Sequence, residues 1–396
     1  MARNVVVTDG DQRAALATVR SLGKAGYSVH VCASRSRSIA GSSRYCTSQT
    51  TVADPLQSPE RFASDLVGLV KSKKADVLLP VSEASLLAVL PRREHFSCVI
   101  PFPSADSFYR ICDKREVLER AVSHGIAVPM QIVITGGGTQ TNLEHAVGFP
   151  LALKPSRSVS GPEEARARAG VIYASDSTEL YAALNRFPPT VYPILVQQRI
   201  AGFGFGISVL LWDGELRAAF AHRRIREKPP SGGVSVLRES ISLDNELLSK
   251  CVDLLRDFNW QGVAMVEFKQ DDTSNTPYLM EINGRLWGSL QLAIDAGVDF
   301  PRLLVESAFG MNPAPATAYR TGVRTRWEWG DVDQLLSTVR HPKRDLGSSA
   351  SIPKRSLLSA FADFFRAFNP ENFQEVFRRD DPAPFLQETI DWFRGR

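Results

Sequence analysis

Short apolar runs alternate with longer amphipathic stretches through the first hundred residues. Residues 4–10 (NVVVTDG) are a β-branched run closed by a turn signal, 11–26 (DQRAALATVRSLGKAG) have helical spacing that stops at Gly26, and 27–34 (YSVHVCAS) form the next strand. The unit recurs: 59–74 (PERFASDLVGLVKSKK) predict a helix, 75–82 (ADVLLPVS) a strand and 83–93 (EASLLAVLPRR) a helix, before CVIPFP. Strands that alternate with helices imply a parallel sheet covered on both faces, so residues 1–105 read as a Rossmann-like layer. Its first turn, TDGD, lacks the glycine fingerprint that seats a dinucleotide pyrophosphate, so no nicotinamide cofactor is expected. Asp9 and Glu83 fall at the C-terminal ends of predicted strands, where such sheets bind ligands; a capping or turn role is the plain alternative for each.

Further on, DKREVLERAVSHG predicts a helix of about ten residues between Asp113 and Gly125. GFPLALKPSRSVSG reads as a buried strand ending at Lys154 and a Ser, Arg and Gly loop, and YPILVQQRIAG as an apolar strand broken by Gln197 and Gln198. FGISVLLWDGELRAAFAHRRI predicts a hairpin turning at WDGE. After PPSGG comes a helix, LLSKCVDLLRDFNW, and then two strands, GVAMVEFK and PYLMEING. The chain from about residue 312 is less regular, with GSSAS as a flexible link and DDPAPFLQETIDWFRG as a closing amphipathic helix.

Those two strands carry the chemistry. The polar turn QDDTSNT between them is short enough for an antiparallel hairpin. Alternation sends Val266, Phe268, Met280 and Ile282 to one face and Glu267, Glu281 and Asn283 to the other. Two carboxylates brought together by pairing repel unless a cation lies between them. Two acids and an amide carbonyl are an all-oxygen set suited to Mg²⁺, which takes its other ligands from water and phosphate. Arg285, just beyond, can neutralise transferred phosphoryl oxygens. On these residues alone a solvated sheet face stands as the alternative.

Composition narrows the field without deciding it. The 396 residues are 43% hydrophobic and 23% charged with a formal charge of +4, an ordinary globular balance. The densest basic run, HRRIREK at 222–228, has no interleaved aromatics, so no nucleic-acid partner is expected. No apolar run approaches the length of a membrane span, and the first residues carry no leader pattern. Five scattered cysteines without a C-x-x-C pair read as reduced thiols of a cytoplasmic protein. Trp260 and Trp287 read as packing residues.

The ordered set Lys114, Lys154, LVQQRIAG, Glu267 and EINGR resembles the ATP-grasp superfamily of carboxylate–amine and carboxylate–thiol ligases, over roughly residues 1–310. The E-x-N-x-R ending most resembles the carbamoyl-phosphate-synthetase branch. The resemblance implies an α/β and α+β chain: a Rossmann-like preceding domain (1–105), a linker helix and small lid lobe (106–200), a large lobe with the metal strands (201–311) and a C-terminal extension (312–396). It implies ATP and Mg²⁺ as cofactors, small carboxylate and amine substrates, and homodimers as a common assembly. Lys114 and Lys154 match the two phosphate-binding lysines, while Gln197, Gln198 and Ile200 match the adenine hinge. Ser160 and Gly161 belong to the matching lid loop, and Glu267, Glu281 and Asn283 match the metal ligands. Arg285 and Arg238 are the candidate catalytic groups, Arg238 for a substrate carboxylate or acyl phosphate, with Gly232 and Gly233 beside it permitting close backbone approach. The chain departs from the pattern at the ribose acid, where it has Gly204 and Phe205. The activity implied is activation of a carboxylate as an acyl phosphate with release of ADP, then capture by an amine. A non-catalytic ATP-binding sensor or scaffold, and an ATP-dependent carboxylase or kinase, are the competing classes.

Overall fold

Val5, Val6 and Val7 are fully buried at the centre of a four-stranded parallel sheet, as a run without polar alternation requires when both faces are covered. This computed structural model describes residues 3–136, 147–161, 166–229, 232–340, 357–366, 369 and 371–395. The first sheet has the order β3-β2-β1-β4, with β1 Asn4–Val7, β2 Ser28–Ala33, β3 Ser48–Thr51 and β4 Val77–Leu79. The helices around it include α1 Arg13–Lys24, α2 Pro59–Lys73 and α3 Glu83–Val89. The helical reading of 83–93 ends early: Pro91 lacks the amide that an α-helix needs, and Leu90–His95 tighten into a 3₁₀ turn. Two further helices follow, α4 Ala105–Ile111 and α5 Lys114–Ser123. Asp113 caps α5 by accepting from the Arg115 amide, and Gly125 follows at φ 66°.

The second sheet, β5-β10-β6-β9, comprises β5 Gln131–Ile134, β6 Leu151–Pro155, β9 Ile172–Ala174 and β10 Ile194–Gln198. A small hairpin, β7 Val159–Ser160 with β8 Ala167–Arg168, lies between β6 and β9 in the chain. This sheet has its own core, centred on Leu151, Leu153, Leu180, Ile194 and Val196, separate from the larger one that joins the first and third sheets.

The third sheet has seven strands in the order β15-β14-β11-β12-β13-β16-β17. These are β11 Gly202–Trp212, β12 Glu215–Lys228, β13 Val234–Ile241, β14 Gly262–Asp271, β15 Pro277–Asn283, β16 Arg324–Arg326 and β17 Phe373–Gln374. The turn from β11 to β12 is the expected Asp213-Gly214, both at positive φ (53° and 77°), the geometry a two-residue hairpin demands. The tail is built into this sheet: β16 pairs with β13 and β17 with β16. Ion pairs fasten it, Asp331 to Arg226 at 2.5 Å and to Arg326 at 2.6 Å, and Asp381 to Arg20 of α1 at 2.8 Å. Removing one partner of such a buried pair typically costs about 3–5 kcal/mol. The closing helix forms over Ala383–Phe393, whereas GSSAS lies outside the described residues. Trp260 and Trp287 are buried, Trp287 edge-on to Phe300. The five cysteines are free thiols.

Candidate active site

A cleft of about 760 Å³ opens between the second and third sheets. On its floor β14 and β15 pair with Glu267 opposite Glu281 and Met265 opposite Asn283. Asn283 Nδ2 donates to Glu267 Oε1 at 3.0 Å and to Glu281 Oε1 at 3.4 Å, and Asn283 Oδ1 accepts from Arg285 Nη2 at 2.9 Å. The two acids, the amide and the guanidinium singled out in sequence are therefore one bonded cluster.

Facing carboxylates repel, and the fold offsets this with cations. Lys114 Nζ lies 3.2 Å from Glu281 Oε2, and Arg224 Nη2 lies 2.5 Å from Glu267 Oε2. Burial alone would push both carboxyls up; around Glu281 the Lys114 and Lys154 ammoniums overcome it and hold that carboxyl below the usual range. Glu267 is pushed up by burial and by the Glu281 charge, against the pull of Arg224. Arg224 was not legible as a site residue. It reaches Glu267 across β11, where a Cβ at Gly204 would lie 3.0 Å from Arg224 Cδ and one at Gly206 2.9 Å from His222 Cε1. Glycine at both positions keeps the floor open for these two side chains.

Lys154 projects from β6 into the cleft wall, its Nζ 3.8 Å from Met280 Sδ; burial lowers its pKa to about 8. Lys114 sits at the first position of α5, its Nζ also donating to Ser158 Oγ at 2.8 Å. Burial pulls Lys114 down, but Glu281 and Glu83 more than compensate and raise it. Burial raises the Glu83 carboxyl, against the pull of the Lys114 and Arg285 charges. Asp9 instead takes the turn role, accepting from the Ser82 amide at 3.0 Å and Ser85 Oγ at 2.9 Å.

At the other end Gln197 is buried; its Nε2 donates to Gln131 Oε1 at 2.6 Å, while its Oε1 has no partner among the described residues. Gln198 is exposed and Ile200 buried, the Ile200 carbonyl accepting from Lys269 Nζ at 3.3 Å. All three line the cleft. Ser160 and Gly161 do not: Ser160 Oγ donates to the Arg157 carbonyl at 3.0 Å and Gly161 is exposed at φ 101°, with 162–165 outside the described residues. Arg238 lines the cleft but is paired with Glu375, a partner from the tail that local sequence could not reveal. His222, also lining it, is lowered to about 3 by burial and by Arg224 and Arg238, and stays neutral.

A family model described as ATP-grasp in the biosynthetic pathway with Ter operon matches residues 190–330. Among solved structures, the chain is similar to an L-amino acid ligase from Bacillus licheniformis: 17% identity, TM-score 0.61, covering 77% of this chain and 74% of that one. An N5-carboxyaminoimidazole synthetase from Staphylococcus aureus, complexed with ADP, superposes with TM-score 0.65 at 13% identity over 87% and 88% of the two chains. The fold is that of the ATP-grasp superfamily. A biotin carboxylase from Campylobacter jejuni shares this ATP-grasp likeness at 14% identity, TM-score 0.62, over 82% and 74%. No curated protein matches the chain.

The residues fit what an ATP-grasp site must hold. The Glu267 and Glu281 carboxylates are the hard oxygen donors a divalent cation takes, while Asn283 faces both with its amide nitrogen and gives its oxygen to Arg285. Among the described residues no group of three or more His, Cys, Asp or Glu is placed to hold a metal ion by itself. The orphaned Gln197 oxygen is an acceptor waiting for an N–H donor, such as an adenine amino group. Among the described residues no helix is long and apolar enough to cross a membrane.

Proposed function

We propose that the chain is an ATP-dependent ligase that activates a carboxylate as its acyl phosphate, releases ADP and joins the acyl group to an amine. The observation that carries this is the cluster in which Glu267, Glu281, Asn283 and Arg285 are bonded to one another beside Lys114 and Lys154. A cleft that only held a nucleotide would have no need of a guanidinium next to the metal-type ligands. In this reading the first sheet is the preceding domain, and the second and third sheets are the two lobes that enclose ATP.

Glu267, Glu281 and Asn283 would hold Mg²⁺, which would draw charge from the β- and γ-phosphates. Lys114 and Lys154 neutralise the remaining phosphate oxygens. The substrate carboxylate attacks the γ-phosphorus in line; its C–O–P bond forms as the bond to the ADP oxygen breaks. Arg285 stabilises the charge that develops on the transferred group. The amine then attacks the acyl carbon, loses a proton and expels phosphate, leaving an amide.

Trapping with hydroxylamine tests the reading. With ATP, Mg²⁺ and a panel of carboxylic acids, hydroxamate is expected to accumulate in step with ADP; AMP and pyrophosphate in their place would contradict an acyl phosphate. Base selection follows from Gln197. Its unpaired amide oxygen accepts from the adenine amino group but meets a carbonyl in guanine, so ATP is expected to be used at least tenfold better than GTP. Gln197→Leu should erase most of that preference in kcat/KM, and equal use of both nucleotides by the wild type would move the adenine pocket elsewhere.

A further inference from the structure

Three acids among the described residues line the cleft: Glu227, Glu267 and Glu281. The last two face each other on its floor, and Glu227, near the end of β12, has no part in the chemistry above. An irregularity in the strand sets its direction. Strict alternation would put Arg224 and Glu227, three residues apart, on opposite faces, but the pairing of β12 with β13 slips between Arg224 and Arg226 and again between Arg226 and Glu227. Arg226 turns away to Asp331, while Arg224 and Glu227 both line the cleft. Bulges commonly re-aim side chains in this way next to active sites. Glu227 then leans back over β11, where a Cβ at Gly204 would lie 3.5 Å from its Oε1. That oxygen accepts from Arg224 Nη1 at 2.9 Å, and the same guanidinium holds Glu267. The other Glu227 oxygen bonds to no described residue.

We propose that Glu227 receives the ribose hydroxyls of the bound nucleotide, so that the site selects a ribonucleotide over its deoxy forms. The assignment rests on the nucleotide reading of the cleft and adds the part of the ligand which that reading leaves without a partner. Position carries it. Gly206 pairs with Glu267, where the phosphates belong, and Gly204 lies two residues, about 7 Å, back along β11 toward Ile200 of the adenine hinge. Opposite Gly204, Lys269 donates to the Ile200 carbonyl at 3.3 Å. The row of Lys269, Gly204 and Glu227 therefore lies between the base and the phosphates, where an extended nucleoside triphosphate has its sugar. β11 offers no polar side chain there, only Gly204 and Phe205. A side chain at Gly204 would crowd both Arg224 and Glu227, so glycine is what lets an acid of the next strand reach across. A vicinal diol presents two O–H donors on one edge, and a carboxylate, which only accepts, is their complement. Arg224, bonded to Glu227 and Glu267 at once, fixes the spacing of the sugar and phosphate positions.

The full chain, with Mg²⁺, is titrated calorimetrically with a non-hydrolysable ATP analogue and with the 2′-deoxy and 3′-deoxy forms of the same analogue. The ribose form is expected to bind about tenfold or more tightly than at least one deoxy form, the worth of one hydrogen bond to a charged group. Glu227→Ala should weaken the ribose form about tenfold and leave that deoxy form unchanged, which closes the gap. Glu227→Gln, which keeps an acceptor oxygen without the charge, should close it in part. A carboxylate that served only to hold Arg224 would shift all three ligands alike in both variants. Equal binding of the ribose form and both deoxy forms by the wild type, a comparison that needs no variant to fold, overturns the assignment. A gap that survives Glu227→Ala does so too. ADP release with the panel of carboxylic acids judges the ligase separately: a sugar preference without turnover keeps Glu227 and removes the ligase. Turnover that is blind to both hydroxyls does the reverse, and binding of none of the three analogues removes both.

Discussion

Replacing Glu281 by Gln is expected to lower kcat by about three orders of magnitude while the protein stays folded. The substitution keeps the shape of the side chain and its acceptor oxygen, but removes the charge of the proposed metal ligand that Lys114 and Lys154 keep ionised. Burial would raise the Glu281 carboxyl, and the ammoniums of Lys114 and Lys154 reverse that. A carboxylate kept ionised in a desolvated wall is ready for a divalent cation at neutral pH. Losing metal-assisted stabilisation of the transferring phosphoryl group forfeits several kcal/mol, and ~4 kcal/mol corresponds to about a thousandfold in rate. The folded state loses one ion pair, to Lys114, and is relieved of repulsion from Glu267 facing it across the ladder, so the melting temperature should stay within a few degrees. Steady-state ADP release and thermal unfolding of the two proteins measure both halves. Activity within tenfold of wild type would remove Glu281 from the metal set.

How much of this could be read in the chain depends on the range of the signal. The parallel sheet, the Asp-Gly hairpin, the helix capped by Asp113 and the acidic strand pair are all written in local periodicity or turn chemistry, and the structure has each of them. Alternation was enough to bring Glu267, Glu281 and Asn283 together, but it sent Met280 to the core face, and the structure has Met280 lining the cleft and Leu279 buried, because a bulge shifts the register between Glu267 and Phe268. β3 went unseen because SQTT offers no apolar run, and β16 and β17 because three- and two-residue strands are too short to show a period. Those short strands carry the consequence that matters most for the cleft: they bring Glu375 beside Arg238, 137 residues away in sequence. Arg224 was hidden for a related reason. Its run, HRRIREK, looks like a solvated basic stretch, and only the glycine face of the neighbouring strand lets it lie across the sheet to Glu267.

Lys154→Ala is expected to weaken ATP binding about tenfold to a hundredfold and to abolish a proton uptake that the wild type shows. Lys154 differs from Lys114 although both flank Glu281. Lys114 touches the carboxylate and is raised, whereas Lys154 lies against a methionine sulfur, and burial lowers it to about 8. The sign of the pH effect follows directly. Below about pH 7 the free protein already carries the Lys154 proton, so nucleotide binding adds none. Above pH 8 most Lys154 is neutral, and an incoming polyphosphate, which favours the ammonium form, must bring a proton with it. ATP affinity should therefore fall as pH rises from about 7 to 9, with uptake approaching one proton at the upper end, as titrations in buffers of different ionisation enthalpy will record. Lys114→Ala would weaken ATP as well but keep the uptake, moved to higher pH, because the Lys114 charge helps to lower Lys154. An unchanged affinity in Lys154→Ala, or wild-type binding with no proton uptake at pH 9, would assign this lysine to the wall of the cleft and not to the phosphates.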